Sequence, residues 1–264
     1  MPILLYNKAM VWQHYYELVR ELSLREIKAR YKQSILGYAW VILNPFFQML
    51  VMAFVFSQIV RFPTVGTPYT IFLYVGLLPW TLFANSVNSA TNSLIQSAPL
   101  LKKIYFPREI FVVSTMLAKI VDFLLASTVF VLFMLYYRQP VTLQILWMIP
   151  IFCIQSLFTY GLSLILAAIN LFYRYIQYIL SLALTIWMYL TPVIYPTEVF
   201  PAQYRLIFQL NPLAVIINAY RQVILNGSAP NLASLGIAVL VSTLLTVIGW
   251  RIFKKLEGVF ADVV

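Results

Sequence analysis

The chain has 264 residues, of which 62% are hydrophobic and 10% charged, and its mean hydropathy is +0.86. Soluble domains run at roughly 45–50% apolar and about 25% charged, so a water-soluble core cannot absorb this excess, and residues 1–264 read as one integral membrane domain. The balance of 18 Lys and Arg against 8 Asp and Glu gives a formal charge of +10, which in a soluble protein would suggest nucleic acid, so the placement of the cations decides.

The first 35 residues carry Arg and Lys up to Lys32 and lack an uninterrupted apolar stretch, so no secretory leader is expected. At 100° per residue, Trp12, Tyr15, Tyr16, Val19 and Leu22 share one face of a helix over residues 11–32. Glu17, Glu21, Arg25, Lys28 and Lys32 fall opposite, and Arg30 breaks the pattern. Residues 1–35 are therefore expected to be a cytoplasmic amphipathic segment lying in the membrane interface, either as a surface anchor or in contact with substrate. The single histidine, His14, has no carboxylate or serine arranged around it and reads as an interfacial side chain.

A membrane span needs about 20 mostly apolar residues. Six segments qualify: Tyr38 to Ile59, Tyr69 to Ser93, Ile110 to Tyr136, Leu143 to Leu171, Ile176 to Tyr195 and Leu232 to Phe253. The fold class expected is an all-α integral membrane protein with six transmembrane helices. Thirteen of the 18 cations flank the side holding both termini, among them Lys102, Lys103, Arg108, Arg174, Arg251, Lys254 and Lys255. Four (Arg61, Arg138, Arg205, Arg221) flank the other, and Lys119 lies within a span. Both termini are thus predicted to be cytoplasmic, and the basic charge needs no nucleic acid to explain it.

In the second span Asn85, Asn88, Ser89, Asn92 and Gln96 form one helical stripe. The stripe could line a hydrated path for a hydroxyl-rich solute, or hold helices together through interhelical hydrogen bonds. Residues 97–106 then make a short cytoplasmic connection containing Pro99 and followed by Pro107. The third span carries Lys119 and Asp122, neighbours at i,i+3. An ion or proton relay is one role for them, but a single pair makes a poor relay and mutual neutralisation against another helix fits better.

Cys153, in the fourth span, has no second cysteine to pair with, which excludes disulfide, CxxC and zinc chemistry. Aromatics are dense in the first span, with Tyr38, Trp40, Phe46, Phe47, Phe54 and Phe56, and in the fifth, with Tyr178, Trp187, Tyr189 and Tyr195. Flat rings suit the apolar faces of sugars, although aromatic stripes also serve as lipid contacts or core. From Thr191 to Pro230 five prolines cut the chain into pieces, two of which, Ala202 to Leu210 and Leu213 to Leu225, are too short to cross. Residues 196–230 are expected to form outer re-entrant helices between the fifth and sixth spans.

No glycine is followed by lysine, so the chain lacks a phosphate-cradling GxxxxGK[ST] loop and is expected to bind no nucleotide or metal itself. A membrane acyltransferase or protease would need clustered His, Asp or Ser, and an ion-coupled carrier would need more than Lys119 and Asp122.

The segments Arg25-Glu26-Ile27-Lys28-Ala29-Arg30-Tyr31, Ser34-Ile35-Leu36-Gly37, Trp40 and Asn44-Pro45 resemble the start of type 2 ABC permeases for polysaccharides. Leu101-Lys102-Lys103-Ile104-Tyr105-Phe106-Pro107-Arg108-Glu109, Pro192-Val193-Ile194-Tyr195-Pro196 and Asn211-Pro212-Leu213 extend the resemblance over essentially the whole chain. It implies a non-catalytic homodimeric permease of the bacterial cytoplasmic (inner) membrane, with ATP and Mg on a separate nucleotide-binding ATPase subunit. The cargo it implies is a lipid-linked glycan such as O-antigen, capsule or wall teichoic acid; a type 2 ABC exporter of a small drug or lipid is the alternative. It further implies that residues 97–106, with Leu100, Leu101, Lys102, Lys103, Ile104 and Tyr105, form the helix that couples to the ATPase. The aromatics Tyr38, Trp40, Phe47, Phe54, Tyr178, Trp187 and Tyr189 would then line the substrate path.

Overall fold

A computed structural model of the chain describes residues 8–31, 39–56, 68–103, 106–197, 208 and 210–263. Every described element is helical: α1 (Lys8–Tyr31), α2 (Ala39–Phe54), α3 (Tyr69–Gln96), α4 (Ala98–Lys103) and α5 (Glu109–Tyr136). A tight turn at Leu143–Trp147 leads into α6 (Met148–Phe172), followed by α7 (Ile176–Leu190), α8 (Pro212–Ile224), α9 (Leu232–Glu257) and α10 (Phe260–Val263).

Among the described residues four helices are long and apolar enough to cross a membrane: α3, α5, α9, and α6 with its leading turn. At 1.5 Å per residue, the 28 residues of α3 reach about 42 Å. The described parts of α2 and α7, with 16 and 15 residues, measure about 22–24 Å against a hydrocarbon core of roughly 30 Å, and α2 borders residues outside those described. The expected fifth span to Tyr195 stops early for a local reason. Thr191 is extended, with φ −99° and ψ 135°, because the residue before a proline is pushed out of the helical region, and Pro192 follows it.

α3 is the central helix, most of its surface covered by α5 and α6, with α2, α7 and α8 against its remaining sides. Pro79 interrupts its backbone ladder, and the buried Gln155 of α6 donates to the Pro79 carbonyl at 2.8 Å. Tyr74 adds a hydroxyl bond to Ala126 O (3.0 Å) and stacks on Phe130, tying α3 to α5. α6 and α9 make the most extensive pair. They approach through Gly161 and Gly249: a Cβ on Gly161 would lie 2.6 Å from Thr246 N, and one on Gly249 would meet the Gly161 carbonyl. Thr246 seals the contact with a 2.9 Å bond to Leu157 O. Small residues at a close helix crossing, backed by a hydroxyl bond, are how membrane helices associate without a hydrophobic driving force. The outer sides of α5 and α9 present Leu124, Val131, Leu132, Leu240, Leu244 and Val247, a surface suited to lipid.

α1 departs from the amphipathic face expected of it. It packs along α5 through Val19 and Ser23, and the Ser23 hydroxyl donates to Val19 O and Ser114 O. Tyr16, expected on the apolar face, is 68% exposed, whereas Tyr15 and Leu22 are half-buried and Glu17, Glu21, Arg25 and Lys28 face outward. A hydroxyl bonded across two helices recentres the face by one position, and a hydrophobicity pattern does not register it.

Candidate functional site

Trp40, Asn44 and Gln48 recur every four residues and so occupy one face of α2. Opposite them stand Thr81, Leu82 and Asn85 of α3 and Lys119, Asp122, Phe123 and Ala126 of α5. Together they line a cleft of about 260 Å³. Lys119 Nζ lies 3.8 Å from Asp122 Oδ2, with side-chain exposures of 15% and 22%. Three exposed amides, a hydroxyl, a half-exposed indole and the Lys119–Asp122 ion pair therefore line an open cleft at the side of an otherwise apolar bundle. Polar groups at such a position are expensive and mark functional surfaces.

The remaining stripe of α3 divides by depth. Asn92 accepts from Asn170 of α6 at 3.3 Å, and Asn170 also donates to Thr91 O and accepts from Gln177 N, knitting α3, α6 and the start of α7. Asn85 faces the cleft, while Gln96 lies near the α1 end of α3 beside Arg25 and Ser114.

The path aromatics also separate. Trp40, Phe47 and Phe54 are exposed on α2, as are Tyr178 and Tyr189 on α7. Trp187 turns inward instead: it meets Phe83 edge-on at 5.3 Å and donates to Asn211 Oδ1 at 3.3 Å. It therefore does not join Tyr178 and Tyr189 on the open face. Tyr38 lies outside the described residues.

At the end of the bundle remote from α1, Arg221 of α8 is buried at 6% exposure. Its guanidinium donates to Pro192 O (2.6 Å) and Val193 O (2.7 Å) and lies over the Phe72 ring. Gly76 leaves room for it, since a Cβ there would be 2.7 Å from both Arg221 Nη2 and Val193 O. Tyr69 donates to Ile194 O at 2.7 Å. Asn211 caps α8 by accepting from Leu213 N and donates to Thr191 Oγ1 (2.9 Å), with Pro212 in the favoured first-turn position. The turn after α7 is thus clamped by α3 and α8, joining Pro192-Val193-Ile194 to Asn211-Pro212-Leu213. Of the two short outer pieces expected, Leu213 to Leu225 matches α8, and Ala202 to Leu210 falls outside the described residues apart from Phe208 and Leu210. Arg221 carried no role in the sequence beyond a loop charge, although a lone arginine in the apolar run Ala214 to Leu225 was a usable signal.

At the α1 end, α4 begins directly after Ser97, whose backbone N–H closes α3 by donating to Ser93 O. Leu101 is only 3% exposed, packed in a cluster with Leu94, Phe111, Phe253 and Phe260. It anchors α4 to the bundle. Lys102 is exposed and Leu100 half-buried; the side chain of Lys103 and all of Ile104 and Tyr105 lie outside the described residues. Just beyond, Arg108 donates its backbone N–H to Glu257 Oε1 at 2.8 Å, donates its side chain to Glu257 O, and lies over Phe260. Lys254 bridges Glu109 (2.8 Å) and Glu257 (2.9 Å), so the ends of α5 and α9 are locked together. Burial, and then the Glu109 charge, raise the Tyr15 phenol pKa above its ordinary value, with Lys254 opposing. These tertiary pairs had no signal in spacing.

The family model described as ABC-2 type transporter matches residues 17–225. The chain is 34% identical over 250 residues to an O-antigen export system permease protein RfbA of Klebsiella pneumoniae, covering 94% of this chain and 95% of that protein. RfbA of Myxococcus xanthus is 32% identical over the same shares. The polysialic acid transport protein KpsM of Escherichia coli is 24% identical over 247 residues, 90% of this chain and 93% of that protein.

Proposed function

Because the chain belongs to the ABC-2 type transporter family, we propose that it is the membrane permease subunit of an ATP-driven exporter of lipid-linked polysaccharide. The observation that carries this is 34% identity to an O-antigen export permease over 94% of the chain. It acts as a homodimer in the bacterial cytoplasmic membrane, both termini inside, with α2 and α7 completing six spans around the four long helices. Thirteen of 18 cations on one side support that orientation. ATP and Mg reside on a partner ATPase, and this chain supplies the path.

α4 is the segment on which the partner acts. Leu101 fixes α4 in the cluster with Phe260, and the Arg108–Glu257 and Lys254–Glu109 bonds join the adjoining helix ends. A push on α4 therefore reaches α3 through Ser97 and the end of α9 through the cluster that Leu101 shares with Phe253 and Phe260. Closure of the ATPase dimer on ATP would shift this base in both protomers and open a channel between them.

Deleting the gene in its host tests the proposal. The expected result is loss of surface polysaccharide with lipid-linked polymer accumulating inside, restored by a plasmid copy; unchanged surface polymer overturns it.

A further inference from the structure

We propose that the pocket between α1, α3 and α5 binds a membrane phospholipid whose headgroup joins a phosphate to a primary ammonium, as in phosphatidylethanolamine. The inference goes beyond the export reading and stands apart from it.

Depth comes first. The 28 residues of α3 reach about 42 Å against a hydrocarbon core of roughly 30 Å, so about four residues at each end enter the headgroup layer. At the α1 end these include Ser93 and Gln96. With Arg25 and Glu26 of α1 and Ser114 and Thr115 of α5, they line a pocket of about 150 Å³. At about 30 Å³ for each water of the liquid, that is the bulk of about five waters, or of one small polar headgroup.

The walls accept hydrogen bonds. Ser93 Oγ donates to Ala90 O at 2.7 Å, Ser114 Oγ to Phe111 O at 3.1 Å and Thr115 Oγ1 to Phe111 O at 2.8 Å. A carbonyl cannot donate, so the single hydrogen of each hydroxyl is committed to its own helix and only lone pairs remain for a ligand. All three side chains are buried in the wall, away from bulk water. Gln96 adds an amide carbonyl, and the Glu26 carboxylate has about four lone-pair sites, more than one partner fills. The complement of such a wall is a cation with several N–H groups. A primary ammonium has three.

Arg25 supplies the opposite chemistry. Exposed on α1 at the same pocket, it offers donors in a planar fork that matches a phosphate. Acceptors beside a guanidinium therefore suit a zwitterion with its ammonium towards α3 and α5 and its phosphate towards α1. Choline, whose nitrogen carries methyl groups, has no N–H to give, and a glycerol headgroup has no cation. Either would leave buried lone pairs without a donor, which is costly. A headgroup held in this way ties α1 to α3, next to the direct tie from the Ser23 hydroxyl to Ser114 O on α5.

The test equilibrates the full permease and its ATPase in detergent with equal amounts of phosphatidylethanolamine, phosphatidylcholine and phosphatidylglycerol. Bound lipid is then read by native mass spectrometry. Phosphatidylethanolamine is expected to be retained at least about fivefold over each of the others, the worth of about one hydrogen bond. Arg25→Gln and Thr115→Val should each lower that preference about fivefold, with Ser93→Ala read instead should Thr115→Val not accumulate. Arg251→Gln, which removes an exposed cation on α9 outside the pocket, should leave it unchanged. Glycerophosphoethanolamine, the same headgroup without acyl chains, should compete weakly; displacement at equal concentration would assign the pocket to a soluble ligand and overturn the lipid. Equal retention of the three lipids, a preference that either pocket variant leaves intact, or an equal loss in Arg251→Gln also overturns the proposal.

Discussion

The guanidinium carbon of Arg221 lies 3.8 Å from the centre of the Phe72 ring while its nitrogens hold the carbonyls of Pro192 and Val193. A flat fork that stacks and donates twice is a task lysine cannot perform. Arg221→Lys is therefore expected to destabilise the protein by about 2–3 kcal/mol, since a hydrogen bond to a charged group is worth about 1.5–3 kcal/mol. Tyr69→Phe, which loses a single neutral bond to Ile194 O, should cost about 1 kcal/mol. Thermal unfolding of the detergent-solubilised protein, followed by aggregation-sensitive fluorescence, ranks the two. Equal midpoints would show that the turn after α7 is held by something other than this clamp.

The α6–α9 contact gives a contrast between glycines on the same helix. A methyl at Gly249 meets the Gly161 carbonyl, backbone that cannot step aside, whereas nothing lies within 4 Å of a methyl at Gly236. Gly249→Ala is expected to cost about 1–3 kcal/mol through overpacking. Gly236→Ala should be neutral or stabilising by up to about 1 kcal/mol, from helix propensity alone. Midpoints of thermal unfolding for the two single variants check the prediction.

Lys119 and Asp122 sit 3.8 Å apart and are largely covered. Removing one partner of a fully buried pair costs about 3–5 kcal/mol. Their exposures of 15% and 22% admit some water, so about 1–3 kcal/mol is expected for Lys119→Met or Asp122→Leu alone. The double replacement should regain most of that loss. A double-mutant cycle on unfolding free energy measures the coupling; additive losses would mean the charges are stabilised separately.

The four long helices were legible because an apolar run of bilayer length has few alternatives, and the start of α8 was legible from Asn211-Pro212. The end of α7 was missed because hydropathy continues through Val193 and Ile194 while the backbone, constrained by Pro192, does not. Asn85 and the Lys119–Asp122 pair were visible as polar interruptions. Their meeting with Asn44 and Gln48 was not, since periodicity describes one helix at a time and the cleft needs three. Arg221 was hidden for a related reason: charge counting assigns every cation to a face, and this one is buried against carbonyls and a ring.

α4 separates a residue that holds the helix from one that is free to meet a partner. Leu101 is buried against Phe260 and Phe253, so Leu101→Ala opens a cavity and is expected to cost about 2–4 kcal/mol. Less folded permease should result, and ATPase recovery should fall only in proportion. Lys102 is exposed on the same short helix, and its replacement disturbs no packing. Lys102→Glu should leave the unfolding midpoint within about 0.5 kcal/mol of the parent. If α4 seats in the ATPase, reversing this charge at a contact should lower the amount of ATPase recovered per permease, with the deficit depending on salt because exposed charges are screened. Co-purification at two ionic strengths, normalised to folded permease, reads both effects. A Lys102→Glu variant that retains its ATPase at low salt would place the docking surface elsewhere.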